Sequence, residues 1–187
     1  MPNAIQRSAL NQLFNEARTY NEWSEKPVDE QTVRELYDLL KWGPTSANCC
    51  PARFVWVRSP EGKAKLAALA AENNQPKILA APLTVIIGHD LDFADKMPKL
   101  FPDSAAMLQK VFAQPGVAEV TAMRNGSLQG AYLIIAARAL GLDCGPIPAS
   151  IMPALITRFF WALERSQTSF AASDMASLAR LTRATPG

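Results

Sequence analysis

Residues Val117 to Leu140 form one long helical pattern, and that pattern leaves few architectures open. Val120, Met123, Leu128, Ala131, Leu133, Ile134, Ala137 and Leu140 recur at helical spacing. Toward its C-terminal half the segment is apolar nearly all round. Such a helix belongs in a central core or at a subunit interface. Gly141-Leu142-Asp143-Cys144-Gly145-Pro146 ends it.

The remaining elements have to pack around this helix. Ile5, Ala9, Leu10, Leu13, Phe14 and Ala17 give helical spacing over Ala4 to Ala17. Asp29 reads as an N-cap, followed by Val33, Leu36, Tyr37, Leu39 and Leu40, and Gly43-Pro44 stops that helix. Arg53 to Arg58 is a short strand by its β-branched and aromatic content, and Ser59-Pro60-Glu61-Gly62 a turn. Lys63 to Glu72 reads as an Ala- and Leu-rich helix, and Pro76 opens a short one through Ala81. Leu83 to Gly88 is the clearest strand, a continuous apolar run suited to cover on both faces. Residues Leu91 to Gly116, interrupted by prolines, read as helical patches in a mobile cover. Helices alternate with strands, as in a layered α/β or α+β domain. Two strands are too few for a stable sheet alone, so part of the sheet has to come from elsewhere.

With 187 residues, 49% apolar and 19% charged, the chain is sized for one globular domain with a real core. A net charge of +2 gives no electrostatic case for nucleic acid. No apolar run reaches the roughly 18 residues a bilayer span needs. Met1 to Asn15 lacks an apolar signal core, which points to the cytoplasm. The three cysteines, Cys49, Cys50 and Cys144, have no metal spacing and read as small thiols in a reducing compartment.

The standard nucleotide loops are absent: no G-x-G-x-x-G follows a strand, and there is no G-x-x-x-x-G-K-[ST]. His89 is the lone histidine and reads as a strand-end residue, so a histidine-based triad has no local support. Three polar loops remain. Arg18-Thr19-Tyr20-Asn21 offers a cation and a hydroxyl suited to phosphate, and is equally an ordinary solvated helix end. Gly43 to Pro51 joins helix to strand with short donors and acceptors, fit either for an amide-edged ring or for simple turn chemistry. Asn74-Gln75-Pro76-Lys77 places a lysine where it can stabilise negative charge on a ring.

Taken together, Arg18-Thr19, Trp42-Gly43-Pro44-Thr45-Ser46-Ala47-Asn48, Asn74 with Lys77, and Gly141 to Pro146 resemble the nitroreductase family. Within it the likeness is to the subfamily of malonic semialdehyde reductase of pyrimidine degradation and related 3-hydroxypropanoate dehydrogenases. The resemblance covers residues 5–146 of a single domain spanning 1–187. It implies an α+β fold, with helices around an antiparallel-type sheet, that binds FMN at a homodimer interface. NADH or NADPH would be the hydride donor, and a small aldehyde or related electrophile such as a nitro compound the acceptor. By the same resemblance, Arg18 and Thr19 match the phosphate motif, with Asn21 nearby where the usual second arginine is absent. Ser46 and Asn48 match the loop beside the flavin, Asn74 and Lys77 the pair on its pyrimidine side, and Gly145-Pro146 the segment passing the other face. The reaction then belongs to the flavin, with no catalytic side chain and no metal.

After Pro146 this likeness stops, at Ile147-Pro148-Ala149-Ser150. A frame slip accounts for the break. ATG-TCC-GGC-TTC encodes Met-Ser-Gly-Phe, as in the family, and losing its first G gives ATT-CCG-GCT-TC, read as Ile-Pro-Ala-Ser. With permitted third bases, the shifted frame from Pro148 to Leu163 returns Gly-Phe-Asp, and Ala172 to Ala176 allows Leu-Gly-Tyr-Gly. On this reading the tail 147–187 is aberrant and the C-terminal strand is missing, which leaves an open sheet edge. Two further readings stay open: a truncated relative that binds no flavin, and a binding module of the same fold without turnover.

Overall fold

The computed structural model describes residues 3–147; the aberrant tail, apart from Ile147, and the missing last strand expected above lie outside them. The long helix is observed as α7, Val117–Ala139. Before it come α1 (Arg7–Leu10), α2 (Glu30–Leu40), β1 (Ala52–Val57), α3 (Pro60–Ala67), α4 (Gln75–Ala80), β2 (Thr84–His89), α5 (Met97–Leu100) and α6 (Ala105–Phe112). The fold is α+β, mostly helical with a small antiparallel sheet. Ala52 stands opposite His89 and Val57 opposite Thr84.

Local chemistry sets most boundaries. Asp29 caps α2 by accepting from the Thr32 N–H at 2.7 Å. The Ser59-Pro60-Glu61-Gly62 turn proves to be the start of α3. Ser59 accepts from the Gly62 N–H at 3.0 Å, and Pro60 sits in the first turn, where its missing donor is harmless. The N-terminal helix is shorter than its pattern: after Leu10 the chain widens into a π-type turn over Asn11–Asn15.

Two apolar clusters meet α7. Leu36 and Leu40 of α2 pack with Leu133, Ala136 and Ala137, and the sheet adds Phe54, Trp56, Val85 and Ile87. Leu36 and Leu40 are almost fully buried. Each such side chain contributes about 1.5–3 kcal/mol. The second cluster joins Cys49, Phe93, Met97, Ala105, Phe112 and Ala122. Phe93 and Met97 are fully buried, and Phe93 meets Phe112 edge-on at 4.8 Å. The segment expected to be a mobile cover is therefore a second core.

The sheet lies along α7 with β2 running antiparallel to it. A Cβ on Gly126 would stand 2.5 Å from His89 Cδ2, and one on Gly130 would stand 3.3 Å from Ile87 Cδ1. The missing side chain at 126 is what lets the strand end approach. The His89/Ala52 end of the sheet thus sits over the middle of α7, and the Thr84/Val57 end over its C-terminus. His89 is the strand-end residue its position implied, half-buried against the helix.

Candidate functional site

Arg18, Thr19, Gly145 and Pro146 come together at the C-terminal end of α7. Thr19 and Cys144 form a parallel bridge, and the Tyr20 N–H donates to the Cys144 carbonyl at 3.1 Å. Gly145 is required by this approach. A Cβ there would press on the Tyr20 carbonyl oxygen and stand 2.8 Å from Trp23 Cζ2. The first helix is tied to the same end: Gln12 Nε2 donates to the Arg138 carbonyl at 2.6 Å, and Arg138 Nη1 to the Leu13 carbonyl at 3.1 Å. Arg18 Nη1 donates to the carbonyls of Asn15 and Ala17, at 2.9 and 2.8 Å. These bonds orient an exposed guanidinium at the end of that helical segment. Thr19 and Asn21 are exposed beside it.

Asn74 and Lys77 lie on the connection that leaves the sheet after Val57 and returns to it at Thr84. Asn74 ends the short turn Glu72–Asn74 and is buried; Lys77 lies on α4 and is half-buried. α3 leaves the sheet after Val57, and α4 leads into it at Thr84. Lys63 of α3 fastens the two helices by donating to the carbonyls of Leu79 and Ala81, at 2.9 and 3.0 Å. The exposed Arg18 guanidinium, with Thr19 and Asn21 beside it, suits an anionic, hydrogen-bonding ligand.

Ser46 and Asn48 do not join that group. They lie in the helical turn Ser46–Asn48, where the Ser46 N–H donates to Asn125 Oδ1 at 2.7 Å. Asn48 Nδ2 donates to the Leu100 carbonyl at 3.0 Å. Asn125 and Arg138 are thirteen residues apart on α7, or about 20 Å along its axis. One chain therefore holds the Ser46 loop and the Arg18 cluster at separate stations along the same helix.

The loop itself is strained. Ala47 and Asn48 both have φ 51°, and Cys50 has φ 39°. Left-handed backbone costs a non-glycine residue roughly 1–2 kcal/mol. Thr45 Oγ1 accepts from the Cys50 N–H at 3.2 Å, and Cys49 is sunk in the core. Burial, reinforced by Cys50, pushes the Cys49 thiol up to about 11, and burial also raises Cys144. Both are thus held as neutral thiols near pH 7. Burial lowers His89 from its ordinary 6.5, favouring the neutral imidazole. Beyond it, Asp90 is paired with Arg53 and accepts from Lys96 at 2.6 Å, closing the sheet end. No group of three or more His, Cys, Asp or Glu suited to a metal occurs among the described residues. No helix there is long and apolar enough to cross a membrane.

Against this geometry, the nitroreductase family model matches residues 15–171, and so runs past Pro146, where the resemblance was expected to stop. The chain belongs to the nitroreductase family. A relative from Caulobacter sp. (strain K31), provisionally named NADH dehydrogenase/NAD(P)H nitroreductase, is 53% identical over 169 residues, covering 90% of this chain and 86% of the relative. One from Stenotrophomonas maltophilia (strain K279a), similarly named, is 52% identical over 170 residues, covering 91% and 86%. A nitroreductase structure from Exiguobacterium sibiricum, in complex with FMN, matches with a TM-score of 0.68 at 19% identity, over 79% of this chain and 76% of that one. An NAD(P)H:FMN oxidoreductase structure from Staphylococcus epidermidis matches with a TM-score of 0.66 at 20% identity, over the same shares. These two structures share the fold of this chain.

Sequence reasoning missed Asn125, Gln129 and Trp23. The first two are buried amides four residues apart on α7, and Gln129 Oε1 accepts from the Ala52 N–H at 2.8 Å. Their signal was present as two polar residues in an apolar helix. Trp23 Nε1 is buried with no hydrogen-bond partner among the described residues.

Proposed function

We propose that this nitroreductase-family chain is an FMN-dependent NAD(P)H oxidoreductase that works as a homodimer in the cytoplasm. Its substrates are small aldehydes such as malonic semialdehyde, or related electrophiles including nitro compounds. The observation that carries the reading is the pairing of Thr19 with Cys144, which sets Arg18 and Thr19 beside Gly145 and Pro146. FMN, when bound, would supply the hydride-transfer chemistry between the nicotinamide and the second substrate. Arg18 and Thr19, with Asn21 beside them, would hold the phosphate. Asn74 and Lys77 would face the ring's polar edge, where the lysine favours negative charge. Gly145-Pro146 would flank the ring, and Ser46 and Asn48 would close the site from a second copy.

The homodimer is supported by α7. Val120, Met123, Leu128 and Tyr132 leave exposed apolar side chains along it, and Trp42 is 79% exposed. Two copies packed on this face about a two-fold axis perpendicular to α7 would run their helices antiparallel. The Ser46 station of one copy then approaches the Arg18 station of the other, which suits the separation of the two groups along one helix.

The test is direct. Purified protein should carry a flavin absorption band that bleaches on adding NADH or NADPH and recovers on adding malonic semialdehyde. A colourless protein that takes up no added FMN refutes the reading. A band that the nicotinamides leave unchanged favours a binding module instead. The tail after Pro146 is further read as the product of a frame slip, and a gene whose alternate frame lacks Gly-Phe-Asp refutes that.

A further inference from the structure

A strained loop bracketed by two buried amides needs a reason. Ala47, Asn48 and Cys50 are all left-handed and none is glycine. A mere connection between α2 and β1 could relax or use glycines. Here the loop is clamped on both sides by one helix. Asn125 Oδ1 accepts from Ser46 N–H at 2.7 Å at its start, and Gln129 Oε1 from Ala52 N–H at 2.8 Å at its end. The two amides lie at i and i+4, on one face of α7. They are 5% and 7% exposed, so the bonds are shielded from water. Asn125 Nδ2 donates to the Thr121 carbonyl at 2.9 Å, which fixes the amide with its oxygen toward the loop. Ser46 and Asn48 meanwhile stay exposed at the crest.

We infer that Asn125 and Gln129 are positioning residues that hold the Ser46–Cys50 backbone in its left-handed form, so that Ser46 and Asn48 are presented preorganised to the cofactor. This rests on the FMN reading above. The two amides do not touch the cofactor. Their effect passes through the loop, whose ordering is completed before ligand arrives rather than at the expense of binding.

Asn125→Leu and Gln129→Met remove one acceptor each at nearly constant volume. Two readouts are compared with the parent: hydrogen exchange of residues 45–52 in the flavin-free protein by mass spectrometry, and the FMN dissociation constant by quenching of flavin fluorescence. Each variant should exchange at least tenfold faster in that segment, with α2 and β2 unchanged, and should bind FMN at least tenfold more weakly. Adding Ala47→Gly, which removes one left-handed penalty, should recover part of the affinity. Faster exchange with FMN affinity within twofold of the parent would show a merely structural clamp and overturn the inference, as would unchanged exchange in both variants. Should Asn125→Leu not fold, Gln129→Met decides by the same criteria. A parent that binds no FMN instead refutes the functional reading and the cofactor half of this inference with it, while the exchange data still decide whether the amides clamp the loop.

Discussion

Replacing Gly145 by alanine strikes the contact on which the candidate site is built. The added Cβ would stand 2.8 and 2.9 Å from Cζ2 and Cη2 of Trp23, and closer still to the Tyr20 carbonyl oxygen. Carbon atoms settle at about 3.5–4.0 Å, so the indole must retreat by roughly 1 Å, and the Tyr20 backbone must move as well. Overpacking of this kind costs about 1–3 kcal/mol. Loss of the 3.1 Å bond from Tyr20 N–H to the Cys144 carbonyl adds about 0.5–1.5 kcal/mol. The strain falls on the segment carrying Arg18 and Thr19, so the expected result is FMN binding weakened at least tenfold, about 1.4 kcal/mol. Titration of flavin-free protein with FMN, followed by fluorescence quenching, measures it, with a thermal melt alongside. Gly116→Ala is the control: φ is +76° there and a Cβ would meet nothing within 4 Å, so stability should fall while FMN affinity holds. FMN affinity within twofold of the parent for Gly145→Ala, together with an unchanged melting temperature, would refute the reasoning.

Arg18→Ala should lose a charge-assisted phosphate contact of roughly 1.5–3 kcal/mol, and equal flavin content in mutant and parent purified side by side would count against that role. Leu40→Ala, at a side chain 1% exposed between α2 and α7, should destabilise by about 2–5 kcal/mol in urea unfolding, and a change under 1 kcal/mol would deny it a core position. His89 sets a pH dependence. Burial favours its neutral form, so near and below 6.5 the unfolded chain binds the proton before the folded one does. Its contribution is present above 6.5 and is lost as pH falls, by at most about 1.4 kcal/mol per unit. Urea midpoints at pH 7.5, 6.5 and 5.5 measure this, and because the chain has one histidine, His89→Leu should flatten the slope.

Much of the helical frame was legible because its causes are local. Periodicity alone placed α7 to within a residue at its C-terminal end, and the Asp29 cap marked the start of α2. The start of α3 was misread although Ser59 and Pro60 are strong helix-opening residues, because the same residues also favour turns. The span from Leu91 to Gly116 misled for another reason. Pro98 and Pro102 sit in the first turns of short helices, where they are tolerated, and Phe93 and Met97 fill a core.

The candidate residues were legible as types, and their meeting was not. Arg18, the loop around Ser46, and Lys77 could be nominated because charge and short donors carry recognisable chemistry, and Gly145 only because it matches a family segment. That Thr19 pairs with Cys144 while Ser46 answers to Asn125 depends on contacts between parts of the chain far apart in sequence, which no local period encodes. The sequence by itself determined α2 with its Asp29 cap, the two strands and α7, since those depend on neighbours within a turn or two. Only the tertiary structure decided that the Arg18 cluster and the Ser46 loop stand at different stations along one helix. It also revealed two amides, hidden in an apolar pattern, holding a backbone that side-chain types alone would not predict.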